Sequence, residues 1–319
     1  MINFRFHLAS LIAVFLALAL GVVMGATVIQ SAIVNGLNNR IDRVETKAEN
    51  RKRENDQLRA ERSRLEGYVG QSGAFAVSDR LTGIPVAVVA TRGVDGDVAR
   101  SQVQLLAQAG AVAPGILWVE PSWALKNGDA DKMARALGET SRNDKALRDA
   151  AWKALAARIA VGGQTVSGVV SGSAGDPLAA LVAAGFLKFE PVGEQGPAFD
   201  LSTFPGPGAR VLLVGGMGSD VDATDLVKVA ARALAGARVP TVAAEAFVTK
   251  KNGPDRGAIV AGVLDDETLS AAVSTVDDAE LAQGRVTDTL ALSDLGRGVV
   301  GHYGYGAGAK SIVPQWSRP

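Results

Sequence analysis

The chain contains no cysteine. Disulfides, thiolate nucleophiles and thiolate metal sites are therefore excluded, although the compartment is not fixed by that absence. Histidine is almost as scarce, with only His7 and His302 in 319 residues. A Ser-His-Asp triad outside the N-terminal apolar run would have to use His302. The four methionines, Met1, Met24, Met133 and Met217, are far apart. Copper prefers thiolate, thioether or imidazole ligands, so any copper site within one chain would be sparse and no metal-ligand set can be named. The 33 basic and 33 acidic residues cancel, so no bulk field points to nucleic acid. Strands of alternating apolar and polar residues, the signature of a transmembrane β-barrel, are also missing.

Recognised chemical motifs are incomplete. Ser171-Gly172-Ser173-Ala174-Gly175 misses the G-x-S-x-G elbow, because Ser171 stands where its first glycine belongs. Gly215-Gly216-Met217-Gly218-Ser219-Asp220 has the strand-to-helix context of a phosphate cradle. It lacks the third glycine and any G-K-[ST], and Asp220 and Asp222 are natural helix N-caps. A tight turn is the expectation, with a nucleotide- or sugar-binding sensor as a lesser alternative. Asp265-Asp266-Glu267 and Asp277-Asp278 lack the calcium-loop spacing and are expected to cap helices or face water. No catalytic residue and no bound cofactor is expected, and the chain is read as non-enzymatic.

An apolar helix running directly into a heptad helix is what the chain does have. Residues 8–33 carry no charge and are long enough to cross the roughly 30 Å hydrocarbon core. A cleaved signal peptide is the rival, but its apolar region is usually about 7–15 residues. An uncleaved single-pass anchor over 1–33 is the expectation. Ala13, Ala17, Gly21 and Gly25 recur every fourth residue and share one face, which favours helix pairing in lipid. Basic residues do not clearly orient the anchor. The short head and the long C-terminal part suggest a cytoplasmic N-terminus with the globular part outside.

Residues 34–67 read as a coiled coil. Val34, Ile41, Ala48, Asn55 and Arg62 take a positions; Leu37, Val44, Arg51, Leu58 and Leu65 take d. Asn55 at a favours in-register parallel pairs at some cost in stability, and Arg51 and Arg62 weaken the seam. The stalk is therefore expected either to self-associate or to open for a partner helix. Gly67 and Gly70 are expected to end the helix.

Residues 75–319 alternate apolar runs with helical stretches. Strands are expected at 84–90, 115–120 and 210–214, with helices at 98–109, 145–159, 177–184 and 223–234. The pattern predicts an α/β domain: a mostly parallel β-sheet flanked by helices, behind a transmembrane helix and a coiled-coil stalk. The proline- and glycine-rich stretch 190–208 is expected to be a loop and a candidate boundary between two lobes. The glycine-rich tail, Gly301-His302-Tyr303-Gly304-Tyr305-Gly306, is expected to pack or to offer a polar patch to a partner.

Three stretches carry a family resemblance. Met1-Ile2-x-Phe4-Arg5-x-His7 leads into 10–25; Ser274-Thr275-Val276-Asp277-Asp278 precedes Gly284-Arg285-Val286 and Leu290-Ala291-Leu292; Gly301-x-Tyr303-Gly304-x-Gly306 lies near the C-terminus. With the order anchor, coiled coil, α/β domain, the chain resembles the actinobacterial copper transport protein B family. The resemblance implies an envelope protein linked to copper efflux and tolerance, with copper as cargo, described for mycobacteria as an outer-membrane channel. A corynebacterial relative implies an alternative role in cell division, pairing with a cytoplasmic partner and activating a peptidoglycan hydrolase.

Overall fold

The computed structural model describes residues 4–162, 175–193, 201–217, 221–248 and 253–315, without the side chains of 26–36 and 202. Two compact units are distinguished, Met1–Leu65 and Glu66–Pro319.

The first unit is helical. Helix α1 spans Phe4–Val77. Its portion Phe4–Gly25 has 22 residues, a mean hydropathy of 2.6 and nothing buried. At 1.5 Å per residue that portion is about 33 Å long, enough to cross a bilayer. The described residues hold one such helix.

The helix does not stop at Gly67 and Gly70, contrary to the expectation from sequence. A Cβ at either would meet nothing, so neither glycine marks a tight approach. Each costs roughly 1 kcal/mol inside a helix. The turns beyond them are held by packing within the second unit. A Cβ on Gly73 would stand 2.6 Å from Cγ2 of Val286, and Val77 is fully buried. The chain leaves the helix at Asp79, whose φ is 59°.

The second unit is a doubly covered sheet. Strand β1 (Val86–Thr91) is followed by α2 (Gly96–Gln108), β2 (Gly115–Val119), α3 (Asp129–Leu137), α4 (Asp144–Val161) and α5 (Pro177–Ala183). Next come β3 (Leu187–Pro191), β4 (Arg210–Gly216), α6 (Ala223–Gly236) and β5 (Thr241–Ala246). Short helices α7 (Ala261–Leu264) and α8 (Glu267–Ser270) lead to β6 (Val273–Val276), α9 (Ala282–Leu295) and β7 (His302–Tyr303). The sheet order is β3-β2-β1-β4-β5-β6-β7. All neighbours are parallel except β2 and β3.

Continuous apolar runs form the central strands because both faces are covered. Val86, Val88 and Ala90 of β1 pack with Val77, Val103 of α2 and Leu292 of α9. Ala87 and Val89 pack on the other face with Trp152 of α4, Leu181 of α5 and Val227 of α6. The stretch 190–208 does not separate two sheets, since β3 precedes its loop and β4 follows in the same sheet.

Candidate functional site

Open α/β sheets bind ligands outside the carboxyl ends of the strands, where the strand order reverses. Here that point lies between β1 and β4. The end of β4 is packed against side chains. A Cβ on Gly216 would lie 2.5 Å from Cγ2 of Val94, and one on Gly215 would lie 2.7 Å from Ile259 and 2.9 Å from Val227. These glycines make room for neighbouring side chains. The N-terminus of α6 is also occupied: Asp222 Oδ1 accepts from the amides of Thr224 at 3.0 Å and Asp225 at 3.1 Å. Amides that could hold a phosphate are thus capped from within the chain. Gly218, Ser219 and Asp220 lie outside the described residues, as do Ser171–Ala174.

Most of the buried ionisable side chains lie further along the same sheet edge. Glu245, at the end of β5, is fully buried. Its carboxylate accepts from the amides of Gly257 at 3.0 Å and Ile259 at 2.8 Å, fastening the segment before α7. Burial raises its pKa, against those hydrogen bonds, and nearby Asp277 adds to the rise. Asp277, just after β6, accepts from the amides of Tyr305 at 2.8 Å and Gly306 at 2.9 Å. The glycine tail is needed here: a side chain at Gly304 would run into the Asp277 carboxylate, and one at Gly306 into the Arg256 carbonyl, with Asp277 Oδ2 at 3.0 Å. Glu280 accepts from Arg256 at 2.6 Å and from the Phe247 amide at 2.9 Å. Arg256 also donates to the Asp277 carbonyl at 2.7 Å.

Asp278 and Asp288 differ from these acids. Both are fully buried, and no carboxyl oxygen of either has a hydrogen-bond partner. Burial pushes the Asp278 carboxyl up to about 7, helped by Asp277 and Glu280. Burial holds Asp288 well above the usual carboxylate range, with Asp278 adding to the effect. The expectation that Asp277-Asp278 would cap a helix or face water is corrected on this point, because β6 delivers both into the interior. Asp266 does cap, accepting from the amides of Thr268 and Leu269. The sequence signal for Asp288 was its spacing. It lies four residues before Leu292, which is fully buried, on the inward face of α9.

The tail residues are placed in and beside the sheet. His302 and Tyr303 form β7 and are buried, whereas Tyr305 is exposed. His302 Nδ1 lies 3.0 Å from Thr275 Oγ1. Burial lowers the pKa of His302, with Lys310 adding to the shift. Gly301 leaves room for the Tyr303 ring. His302 and the two tyrosines therefore do not share one exposed patch. Among the described residues no group of three or more His, Cys, Asp or Glu is arranged to hold a metal ion.

On α1, Leu37, Ile41, Val44, Leu58 and Leu65 are between 45% and 66% exposed. Ala48, Arg51 and Arg62 are exposed as well, and Asn55 donates to its own helix at the Arg51 carbonyl, 3.0 Å away. The Val34 side chain lies outside the described residues. Ala13, Ala17 and Gly21 are exposed and Gly25 is half-buried; side chains at the two glycines would meet nothing within the chain.

The comparisons with known proteins cover the whole chain. A family profile described as "Copper transport outer membrane protein, MctB" matches residues 1–314. The protein named Copper transporter MctB from Mycobacterium tuberculosis H37Rv is 29% identical over 323 residues, covering 98% of this chain and 99% of the relative. Its namesake from Mycobacterium leprae is 26% identical over 326 residues, covering 99% and 100%. The chain belongs to the MctB family of copper transport outer membrane proteins.

Proposed function

We propose that this chain is a non-enzymatic, single-pass envelope protein that takes part in copper efflux and tolerance as an assembly. Family membership supports the copper role. The observation that carries the need for an assembly is α1 itself, with one span-length apolar segment in the same helix as an exposed heptad seam. One helix cannot enclose a path, so a route for copper needs several copies or partners. The absence of cysteine from the whole chain and the presence of only two histidines favour cargo passing through an assembly over capture within one chain. In this reading the N-terminus is cytoplasmic and the α/β domain lies outside. Ala13, Ala17, Gly21 and Gly25 pair in lipid, and the a and d residues of 34–65 pair beyond it.

A second reading is favoured by the polar a and d positions, Arg51, Asn55 and Arg62. A seam weakened in its middle suits exchange of a partner helix. The chain would then be a scaffold that engages and activates a peptidoglycan hydrolase, together with a cytoplasmic partner. Cell-associated copper in a clean deletion strain separates the two. Raised copper before any envelope defect supports efflux. Unchanged copper in cells that fail to separate supports the scaffold and overturns the copper role.

A further inference from the structure

Asp278 and Asp288 face groups from several elements. Asp277 and Glu280 come from their own connection, Arg256 from the segment before α7 and Arg285 from α9, and Arg285 in turn faces Glu66 of α1. Glu245 of β5 adjoins Asp277. From α2, Gln102 brings a neutral amide, which donates to the Arg285 carbonyl and the Thr289 hydroxyl, each at 3.3 Å. The arginines are engaged elsewhere. Arg256 holds Glu280 and the Asp277 carbonyl, and Arg285 donates to the Glu280 carbonyl at 2.9 Å. The two acids are close to α9 together: a side chain on Gly284, one turn before Asp288, would collide with the Asp278 carbonyl and approach its carboxyl oxygen at 2.8 Å. Two enclosed carboxylates without donors are costly, and such groups become neutral by taking up protons.

The same stretch of α9 seats the last turns of α1. Val286 fills the space left by Gly73, and Glu66 stands near Arg285. We propose that Asp278 and Asp288 form a buried proton site that keeps α9 closed and thereby holds residues 66–77 of α1 on the domain. With protons bound, the cluster sits neutral under the helix. Proton loss leaves like charges enclosed, and α9 opens toward water to hydrate them. The sign follows from pKa values raised above the unfolded ones. The site stabilises the closed form at low pH, and that stability falls as pH rises from the ordinary carboxylate range through about 7.

The test is amide hydrogen exchange on the full-length protein in detergent micelles, read for 66–77 and 282–295 and corrected for the intrinsic pH dependence of exchange. Opening releases up to two protons and is expected to increase by up to about a hundredfold per pH unit between roughly pH 5 and 7. D278N and D288N should each flatten that slope, whereas D265N, at an exposed carboxylate, should leave it unchanged. An infrared carbonyl band from a protonated carboxyl should be present in the parent at about pH 6 and weaker in D288N. Equal slopes in parent and both variants, or no such band, would overturn the proposal. If D288N does not fold, D278N and the infrared spectrum of the parent decide alone.

Discussion

The two units of this chain treat apolar side chains in opposite ways. In Glu66–Pro319, tryptophans, leucines and valines from both faces of one sheet are sealed inside. In Met1–Leu65, the described apolar residues from Phe4 to Met24 and from Leu37 to Leu65 point outward from a single helix. The sheet domain completes itself. The helical unit carries a lipid-length apolar surface and a stripe at heptad spacing, and its described residues leave both uncovered. Exposed apolar surface of that extent marks where a soluble domain would be incomplete, and it is the ground for the proposed pairing in lipid and along the stalk. Copper cannot be traced by the same reasoning, because the chain has so few soft ligands to mark a path.

Substitutions can sharpen that contrast. Removing a large buried side chain from the self-sufficient unit should have the largest effect. Trp152 is 1% exposed and packs 5.2 Å from Trp123 between ring centres. Trp152→Ala should destabilise the domain by about 3–5 kcal/mol in chemical denaturation, while Val44→Ala should leave the domain transition unmoved. Gly73→Leu comes next, since its side chain must enter space held by Val286. A loss of about 1–3 kcal/mol is expected, with increased protease cleavage near 66–77. A domain transition unaltered by Gly73→Leu would mean that the last turns of α1 contribute nothing to it.

Smaller effects are expected in the exposed helix, where pairing is proposed. Asn55→Leu should raise the melting temperature of the stalk and broaden its oligomer distribution in ultracentrifugation, because a polar a position trades stability for register. A stalk that is monomeric with either residue would remove the self-paired coil. Gly21→Leu should lower self-association in a membrane reporter by about 1 kcal/mol or less, since lipid-facing helix contacts are individually weak. An unchanged signal would remove the small-residue face from the account.

Much of the fold was legible because it rests on local patterns. The run at β1 and the helices at α2, α4 and α6 follow directly from apolar spacing and caps. The end of α1 was not legible: Gly67 and Gly70 are helix breakers by propensity, and only the distant Val286 explains why the helix continues past them. The single sheet across 190–208 depends on pairing between β2 and β3, which no local signal records. For the acids, Asp277 and Asp278 read as surface groups because adjacent carboxylates usually are. Their burial depends on β6 ending beneath the tail and beside α9. Gly304 and Gly306 were conspicuous in the sequence, but their reasons are distant: the Asp277 carboxylate for Gly304 and the Arg256 carbonyl for Gly306.

The central claim is that the heptad seam of α1 is covered by a second copy. The natural absence of cysteine makes it directly testable. Single cysteines are placed at the d positions Val44 and Leu58, with Arg43 at an outward c position as the control, in the full-length protein in membranes. Mild oxidation should give disulfide-linked dimers from Val44→Cys and Leu58→Cys, because a shared membrane anchor holds two copies parallel and in register. Arg43→Cys should remain largely monomeric. Equal cross-linking at all three positions, or none at the two d positions, would contradict a self-paired stalk.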